Sequence, residues 1–173
     1  TSGSGFVSKF SNDLTSLIAS AHSENSGNAI AIDTGGNIYV AGSDMVSKLN
    51  GALTSLLASK SLSGGSISSI AIGTGGNIYV TGSTSSPDFP TTPGAYDTSF
   101  NGGYPWGSDA FVSKLNGDLT SLLASTYLDL GRVSYLGSGD EQANSIAIHS
   151  GGNIYVTGTA GYFDQGSSAF VFQ

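Results

Sequence analysis

The chain has 173 residues, only 10% of which are charged, and its twelve acidic and five basic residues give a formal net charge of −7. So few Lys and Arg residues argue against binding to nucleic acid or to an anionic membrane surface, because both depend on basic side chains that neutralise phosphates. The absence of Cys excludes disulfide bonds and thiolate metal sites. No apolar run approaches the roughly 18 residues of a membrane-spanning helix, so we expect no membrane insertion.

Three short phrases recur in a fixed order, which is the pattern of a repeat protein. They are Gly-Gly-Asn-Ile-Tyr-Val, a phrase containing Val-Ser-Lys with one divergent last copy, and a Leu-rich phrase. The Gly-Gly phrase begins at Gly35, Gly75 and Gly151. The Val-Ser-Lys phrase begins at Phe6, Met45, Phe111 and Phe170, and the Leu-rich phrase begins at Leu14, Leu53 and Leu119. The first two copies of the Gly-Gly phrase lie 40 residues apart, so one unit occupies about 40 residues.

The longest unit gives the order of the predicted strands. Residues 70–72, 77–82, 111–115 and 119–125 are short runs rich in apolar, β-branched or aromatic residues, and turn residues separate them. Such runs predict antiparallel β-strands. The Asn-Gly pair at 116–117 predicts a type I′ turn, in which both central residues have positive φ.

Four strands in about 40 residues are the signature of a β-propeller blade. The chain then divides into a partial blade with the third and fourth strands (1–28), a blade (29–68), a blade with long insertions (69–144) and a truncated blade (145–173), all in one propeller domain or a fragment of one. We therefore predict an all-β fold with two, four, four and three strands. A β-solenoid is the alternative, although its period is normally shorter and it has fewer hairpins.

The two ends of the sequence bear on assembly. The sequence begins at Thr1 without Met and ends inside a repeated phrase, so we expect a mature or cut piece of something longer. Further blades are expected to come from the parent chain or from another copy. Surfaces rich in Gly, Ser, Thr and Asn with little charge are common on secreted and surface repeat proteins of bacteria, so an extracellular or cell-surface location is expected.

The units resemble the bacterial seven-bladed β-propeller repeats, known as SBBP repeats. The resemblance rests on residues 108–115, 143–148, 152–158 and 83–95, the last with its run Pro-Asp-Phe-Pro-Thr-Thr-Pro-Gly-Ala. It covers nearly the whole chain, although the first complete unit has only Ser-Asp at 43–44 in place of the Pro-rich segment. The resemblance implies a propeller in a large exported or surface protein, and it implies no catalytic residues.

Length variation between the units is confined to two kinds of connection. One joins the second strand to the third, over residues 83–109 and 159–168, and the other joins successive units, over residues 127–144. In an up-and-down blade both kinds emerge on the same rim, opposite the short turns. Because variable loops on a rigid scaffold usually carry function, we expect the functional site on this long-loop rim.

Acidic and aromatic residues collect in these long loops. Rings that stack on sugars, together with carboxylates that accept hydrogen bonds from hydroxyls, suit a neutral glycan or a protein surface. The predicted ligand-binding residues are Tyr104, Trp106, Asp140 and Asp164. The alternative is that the rings fold the long loop onto itself or onto a neighbouring blade, and this structural role is favoured for Phe89 and Tyr96.

Asp140 and Glu141 are also weak candidates for calcium ligands, because calcium prefers oxygen donors. Their spacing fits no known calcium-binding loop, so capping of the following strand is favoured and no cofactor is predicted. Asp33 is predicted to hold its turn by accepting backbone hydrogen bonds. Ile38, Ile78 and Ile154 hold equivalent strand positions and are expected to be buried.

No catalytic sequence motif occurs, so no catalytic residue is assigned. The features favour a non-catalytic module with a structural or protein-interaction role. The alternative is a carbohydrate-binding module that uses the long-loop rim, and a glycan-active enzyme with two carboxylates from separate loops comes third.

Overall fold

The computed structural model of the chain describes residues 5–102, 107–128, 140–162 and 166–172. Within these ranges there are thirteen β-strands and no helix, which confirms the all-β prediction. Accordingly, no described helix has the length and apolar character to cross a membrane.

The strands form four antiparallel sheets that follow one another along the chain. Sheet A contains β1 (Gly5–Phe10) and β2 (Leu17–Ser23). Sheet B contains β3 (Ala29–Ile32), β4 (Ile38–Gly42), β5 (Met45–Leu49) and β6 (Leu56–Ser61). Sheet C contains β7 (Gly65–Ile72), β8 (Ile78–Thr84), β9 (Asp109–Leu115) and β10 (Leu122–Leu128). Sheet D contains β11 (Asp140–Ile148), β12 (Ile154–Tyr162) and β13 (Gly166–Phe172). Sheets A to D contain two, four, four and three strands, as the repeated sequence phrases predict. Within each sheet, every strand pairs with its neighbours in sequence.

Successive sheets pack face to face because alternate side chains of a strand point to opposite faces. Ile38 and Val40 of β4 join Val7 of sheet A in one buried cluster, and Tyr39 and Ala41 join sheet C in another. All five residues of β4 are therefore buried. Farther along the chain, β3 and β4 pack on β7, and β11 packs on β7, β8 and β9.

The turn between the third and fourth strands differs from the predicted type I′ turn. Positive φ falls on Leu119 (58°) and on its counterparts in the other copies, Leu14 and Leu53, so the Asn-Gly prediction was wrong about the turn type. The Leu119 amide donates to the Asn116 carbonyl at 3.0 Å, which closes the turn one residue farther on than expected. Gly117 is needed for space instead, because a Cβ there would lie 2.7 Å from the Gly76 carbonyl oxygen.

The prediction of a buried isoleucine holds for Ile38 and Ile78 but was wrong for Ile154, which is 39% exposed. Ile38 shares its cluster with Leu49 and Leu53 of its own sheet. In sheet D the last described pair between β12 and β13 is Val156 with Phe172. Among the described residues, Ile154 therefore has no counterparts of those two leucines to cover it.

Two predicted loops are partly strand. The segment 159–168 contains the end of β12 and the start of β13, which pair as a continuous hairpin from Tyr162 and Gly166 onward. The inter-unit connections are also shortened, because β7 begins at Gly65 and β11 at Asp140. These polar extensions form strand because the following strand of each hairpin, β8 or β12, offers its backbone groups for pairing.

Candidate functional site

The short-turn rim joins sheet B to sheet C through a shared carbonyl group. The Gly117 carbonyl accepts hydrogen bonds from the Tyr39 hydroxyl at 2.8 Å and from Lys48 Nζ at 3.0 Å. Lys48 also lies 3.7 Å from the Asp118 carboxylate and 5.2 Å from the centre of the Tyr39 ring. Interaction with the Tyr39 hydroxyl raises the pKa of Lys48, and the charge of Asp118 adds to this effect. The arrangement favours the charged form of Lys48 and holds the two sheets together.

The same lysine link recurs one sheet earlier. Lys9 of sheet A donates to the Gly51 carbonyl of sheet B at 3.3 Å, as Lys48 does to Gly117. The third copy, Lys114 of sheet C, lies 5.4 Å from the centre of the Tyr79 ring. The three Val-Ser-Lys copies of sheets A, B and C therefore each supply one lysine to the short-turn rim, where it contacts the following turn or a tyrosine ring.

Asp33 holds the turn before β4, as predicted. Its carboxylate accepts hydrogen bonds from the Asn37 amide at 2.8 Å and the Asn37 side chain at 2.9 Å. The Tyr39 hydroxyl, whose single proton the carboxylate shares with the nearer Gly117 carbonyl, lies 3.3 Å away. These bonds, above all that from the Asn37 side chain, lower the pKa of Asp33 below its ordinary value of 3.8. In sheet D the ring nitrogen Nδ1 of His149 accepts from the Gly151 amide at 3.0 Å and takes over part of this role.

On the long-loop rim, the segment between β8 and β9 lies along the outer edge of sheet C. The Thr92 amide donates to the Ser125 carbonyl at 3.1 Å, and the Ser125 amide donates back to Thr92 Oγ1 at 3.0 Å. Farther along, the Tyr127 amide donates to the Asp97 carbonyl at 3.1 Å. The loop thus occupies backbone groups of edge strand β10 that would otherwise be open to another strand.

The aromatic residues of this loop have separate roles. Phe89 is buried, with its ring centre 4.4 Å from that of Phe111, and the Phe100 ring lies 6.1 Å from Tyr127. The Tyr127 hydroxyl donates to the Ser86 carbonyl at 3.0 Å, and burial raises the pKa of this tyrosine. The packing role favoured for Phe89 is confirmed.

Tyr96 contradicts the packing role, because its side chain is largely exposed on the rim. Tyr104 and Trp106, the two aromatic residues assigned to ligand binding, lie outside the described residues. Asp164, the third member of that set, lies outside them as well. The described part of the rim therefore contains Asp140 from the predicted site.

The Asp140 carboxylate joins the long loop to sheet D. Its Oδ1 accepts the Ser108 amide at 2.9 Å, and the amide of Glu141 donates to the Ser108 carbonyl at 2.8 Å. Beside it, the buried Asp109 carboxylate accepts the Asn101 amide at 2.6 Å. No group of three or more His, Cys, Asp or Glu side chains in the described ranges is placed to hold a metal ion. The contacts of Asp140 with Ser108 are those of an anchor for the loop.

Two asparagines that sequence reasoning did not single out connect the sheets near the long-loop rim. The Asn25 side chain is buried and donates to the carbonyls of Val40 and Met45, both at 3.1 Å. Asn28 donates to the Ile67 carbonyl at 2.9 Å. In sequence these residues belong to a Ser- and Gly-rich stretch with only loop signals, so their bonds across sheets become visible only in three dimensions.

Comparison of the chain with models of known protein families and with curated proteins found no match in either case. The resemblance to the SBBP repeats stays a prediction.

Proposed function

We propose that the chain is a set of blades of a non-catalytic, extracellular or cell-surface β-propeller with a structural or protein-interaction role. A propeller arises when four-stranded sheets pack face to face around an axis. Sheets A to D pack in chain order, and the resemblance to the SBBP repeats points to the same architecture. Sheets A and B use the same chemistry toward the following sheet, a Val side chain in the core and a Lys on the short-turn rim.

The observation that carries the proposal is the open face of sheet A. Phe6 is 75% and Leu14 is 77% exposed. Their counterparts Phe111 and Leu119 in sheet C are buried, as is Leu53 in sheet B. Met45, the counterpart of Phe6 in sheet B, is half-buried. These repeat positions are therefore buried or half-buried where a preceding sheet covers them, and exposed in sheet A, which no described sheet precedes.

An uncovered apolar sheet face of this kind favours association. The partner that fits is a sheet of the same repeat, because the face of sheet B that meets sheet A and the face of sheet C that meets sheet B have the same pattern. Phe10 extends the patch at the position where buried Leu49 and Leu115 lie in sheets B and C. The function is thus to join blades into a larger surface, with the long-loop rim presented to the surroundings.

Multi-angle light scattering over a range of protein concentrations tests this proposal. We expect the measured mass of the chain to rise with concentration, and the double change Phe6→Ser, Phe10→Ser to reduce that rise. Leu57→Ser is the matched control, because Leu57 is an exposed β-strand residue whose counterpart Leu123 is exposed as well. A heat-stable monomer at all concentrations, or an equal effect of the control, would contradict the proposal.

A further inference from the structure

One edge of β1 pairs with no described strand. β1 pairs only with β2, whereas its counterparts β5 and β9 each pair with a strand on both edges. A groove of about 580 Å³ lies beside this free edge, and a second cleft of about 380 Å³ continues it. The two share Val7, Ser8 and Ile30, so together they extend along β1. We call them the edge groove.

The floor of the edge groove is apolar, and comparison with the other sheets explains why its apolar side chains are exposed. Ile30 on β3 is 56% exposed and lines both parts of the groove. Its counterparts Ile70 and Ile146 are buried, and each lies on a strand that packs against the first two strands of the preceding sheet. Sheet A has no such strands among the described residues, and this explains why Ile30 is exposed.

The polar end of the edge groove contains one half of a recurring contact. Lys9 donates to the Gly51 carbonyl there at 3.3 Å. At the equivalent place between sheets B and C, the Gly117 carbonyl accepts from both Lys48 and the Tyr39 hydroxyl. The edge groove therefore offers a carbonyl oxygen and a lysine at the position where a tyrosine side chain lies one sheet farther on.

The pairing of β8 with β9 defines the register of an incoming strand. Tyr79 pairs with Lys114, and Gly82 pairs with Phe111. The corresponding partners on β1 are Lys9 for a tyrosine and Phe6 for a glycine. That glycine is required, because a Cβ at Gly82 would collide with the Ser66 carbonyl.

We propose that the edge groove is a binding site for a β-hairpin with the sequence of the repeat's first two strands, donated by a partner polypeptide. The second hairpin strand adds to β1 through backbone hydrogen bonds and places its tyrosine against Lys9 and the Gly51 carbonyl. The first strand covers Ile30 and Ile32. This inference rests on the proposed function and names one of its partners.

A synthetic peptide with residues 69–84 of this chain, which contain β8 and the second half of β7, is the probe. Titration of the full chain into the labelled peptide is expected to give saturable binding by fluorescence anisotropy. Hydrogen exchange of those Gly5–Phe10 amides that face the free edge is expected to slow at the same time, because strand addition occupies them, whereas the alternate amides already pair with β2. The absence of saturable binding at peptide concentrations up to about 1 mM would overturn the proposal.

Chain variants locate the binding. Ile30→Glu is expected to weaken it at least tenfold, whereas Ile18→Glu leaves it unchanged, since Ile18 is similarly exposed at 58% but does not line the groove. Tyr79→Ala in the peptide is expected to weaken binding with the chain unaltered, so this result does not depend on the folding of a variant. Equal effects of Ile30→Glu and Ile18→Glu would overturn the proposal.

The peptide experiment and the light-scattering experiment can fail independently of each other. Association is tested with Phe6 and Phe10, of which Phe6 also lines the second cleft of the groove. Peptide binding is tested separately, with Ile30 of the chain and Tyr79 of the peptide. If the chain associates but the peptide does not bind, only the groove proposal fails. If β1 amides become protected only in the self-associated chain, the occupant is a second copy and the groove proposal is likewise wrong.

Discussion

At the scale of single residues, equivalent positions differ in burial according to their neighbours. Ile78 is fully buried in the cluster that joins sheets B and C. Ile154 occupies the same position in its unit and is 39% exposed. Burial in this protein is therefore a property of the stack of sheets as much as of the repeat.

Replacement of these isoleucines measures that dependence. Ile78→Ala is expected to lower the free energy of unfolding by about 2–5 kcal/mol, because it removes buried methyl groups and leaves a cavity. Ile154→Ala is expected to cost clearly less, because its side chain is partly in water already. Chemical denaturation of the two variants checks this, and equal losses would contradict the burial difference.

The lowered pKa of Asp33 predicts that the stability of the protein depends on pH. Its pKa is lower in the folded protein than its ordinary value of 3.8, so the unfolded state binds a proton more readily than the folded state. The stabilisation is therefore complete above the unfolded pKa and is lost as the pH falls through the folded pKa. Asp33→Asn is expected to lower the melting temperature at pH 7 and to flatten its decline below about pH 5.

Thermal unfolding followed by circular dichroism between neutral and acid pH makes this measurement. Asp88→Asn is the control, because the Asp88 carboxylate accepts no hydrogen bond from the described side chains and backbone. Parallel curves for wild type and Asp33→Asn would show that the carboxylate does not hold the turn.

At the scale of elements, the two short turns of one sheet touch each other. The Gly117 and Gly76 turns approach so closely that a Cβ at Gly117 would lie 2.7 Å from the Gly76 carbonyl oxygen. Gly51 and Gly36 repeat this approach in sheet B, at 2.6 Å. Glycine recurs at this turn position because the neighbouring turn leaves no room for a Cβ, and not because the backbone there needs a positive φ.

Gly117→Ala tests that explanation. The change is expected to lower the free energy of unfolding by about 1–3 kcal/mol, since one of the two turns must shift. Gly75→Ala is the matched control, because a Cβ there meets its nearest neighbour, Asn77 Nδ2, at 3.7 Å and its φ is not positive. That change is expected to lie within about 0.5 kcal/mol of wild type, and a similar loss for both would contradict the explanation.

The number and order of the strands were predictable because each strand has its own apolar alternation and each turn its own Gly or Asn. The conformation of the turn at Leu119 was not, since the length of the hairpin loop, and not the Asn-Gly pair, decides where positive φ falls. The strand extensions 65–68 and 140–144 have polar sequences without a strand pattern. Their pairing depends on the neighbouring hairpin strand, which a local reading of sequence does not include.

At the scale of the whole molecule, the position of the long-loop rim was predictable from the sequence, but which of its side chains are exposed was only partly so. Antiparallel topology requires that the variable connections share one rim, and the contact of Ser108 with Asp140 brings two of them together there. Burial of Phe89 and exposure of Tyr96 depend on how the loop follows β10. That path follows from hydrogen bonds between residues about 30 positions apart, for which the sequence has no local signal.

Trp106 separates a binding role of this rim from a structural one. If the rim binds a neutral glycan or a protein, Trp106→Ala is expected to weaken that binding and leave the melting temperature nearly unchanged. Tyr96→Ala provides a comparison with an exposed ring of the same loop. A glycan array and thermal unfolding of both variants make the test, and a lowered melting temperature with no change in binding would assign Trp106 to the loop's structure.

The central claim is that these sheets are propeller blades and that blades of the same kind complete them. Electron cryo-microscopy of the self-associated chain, at a resolution that separates strands, tests it most directly. We predict a closed ring with β3, β7 and β11 nearest its axis and a sheet of the same repeat against Phe6, Phe10 and Leu14. Sheets that continue in an open stack without a common axis, or a sheet A that faces solvent in the assembled particle, would contradict the account.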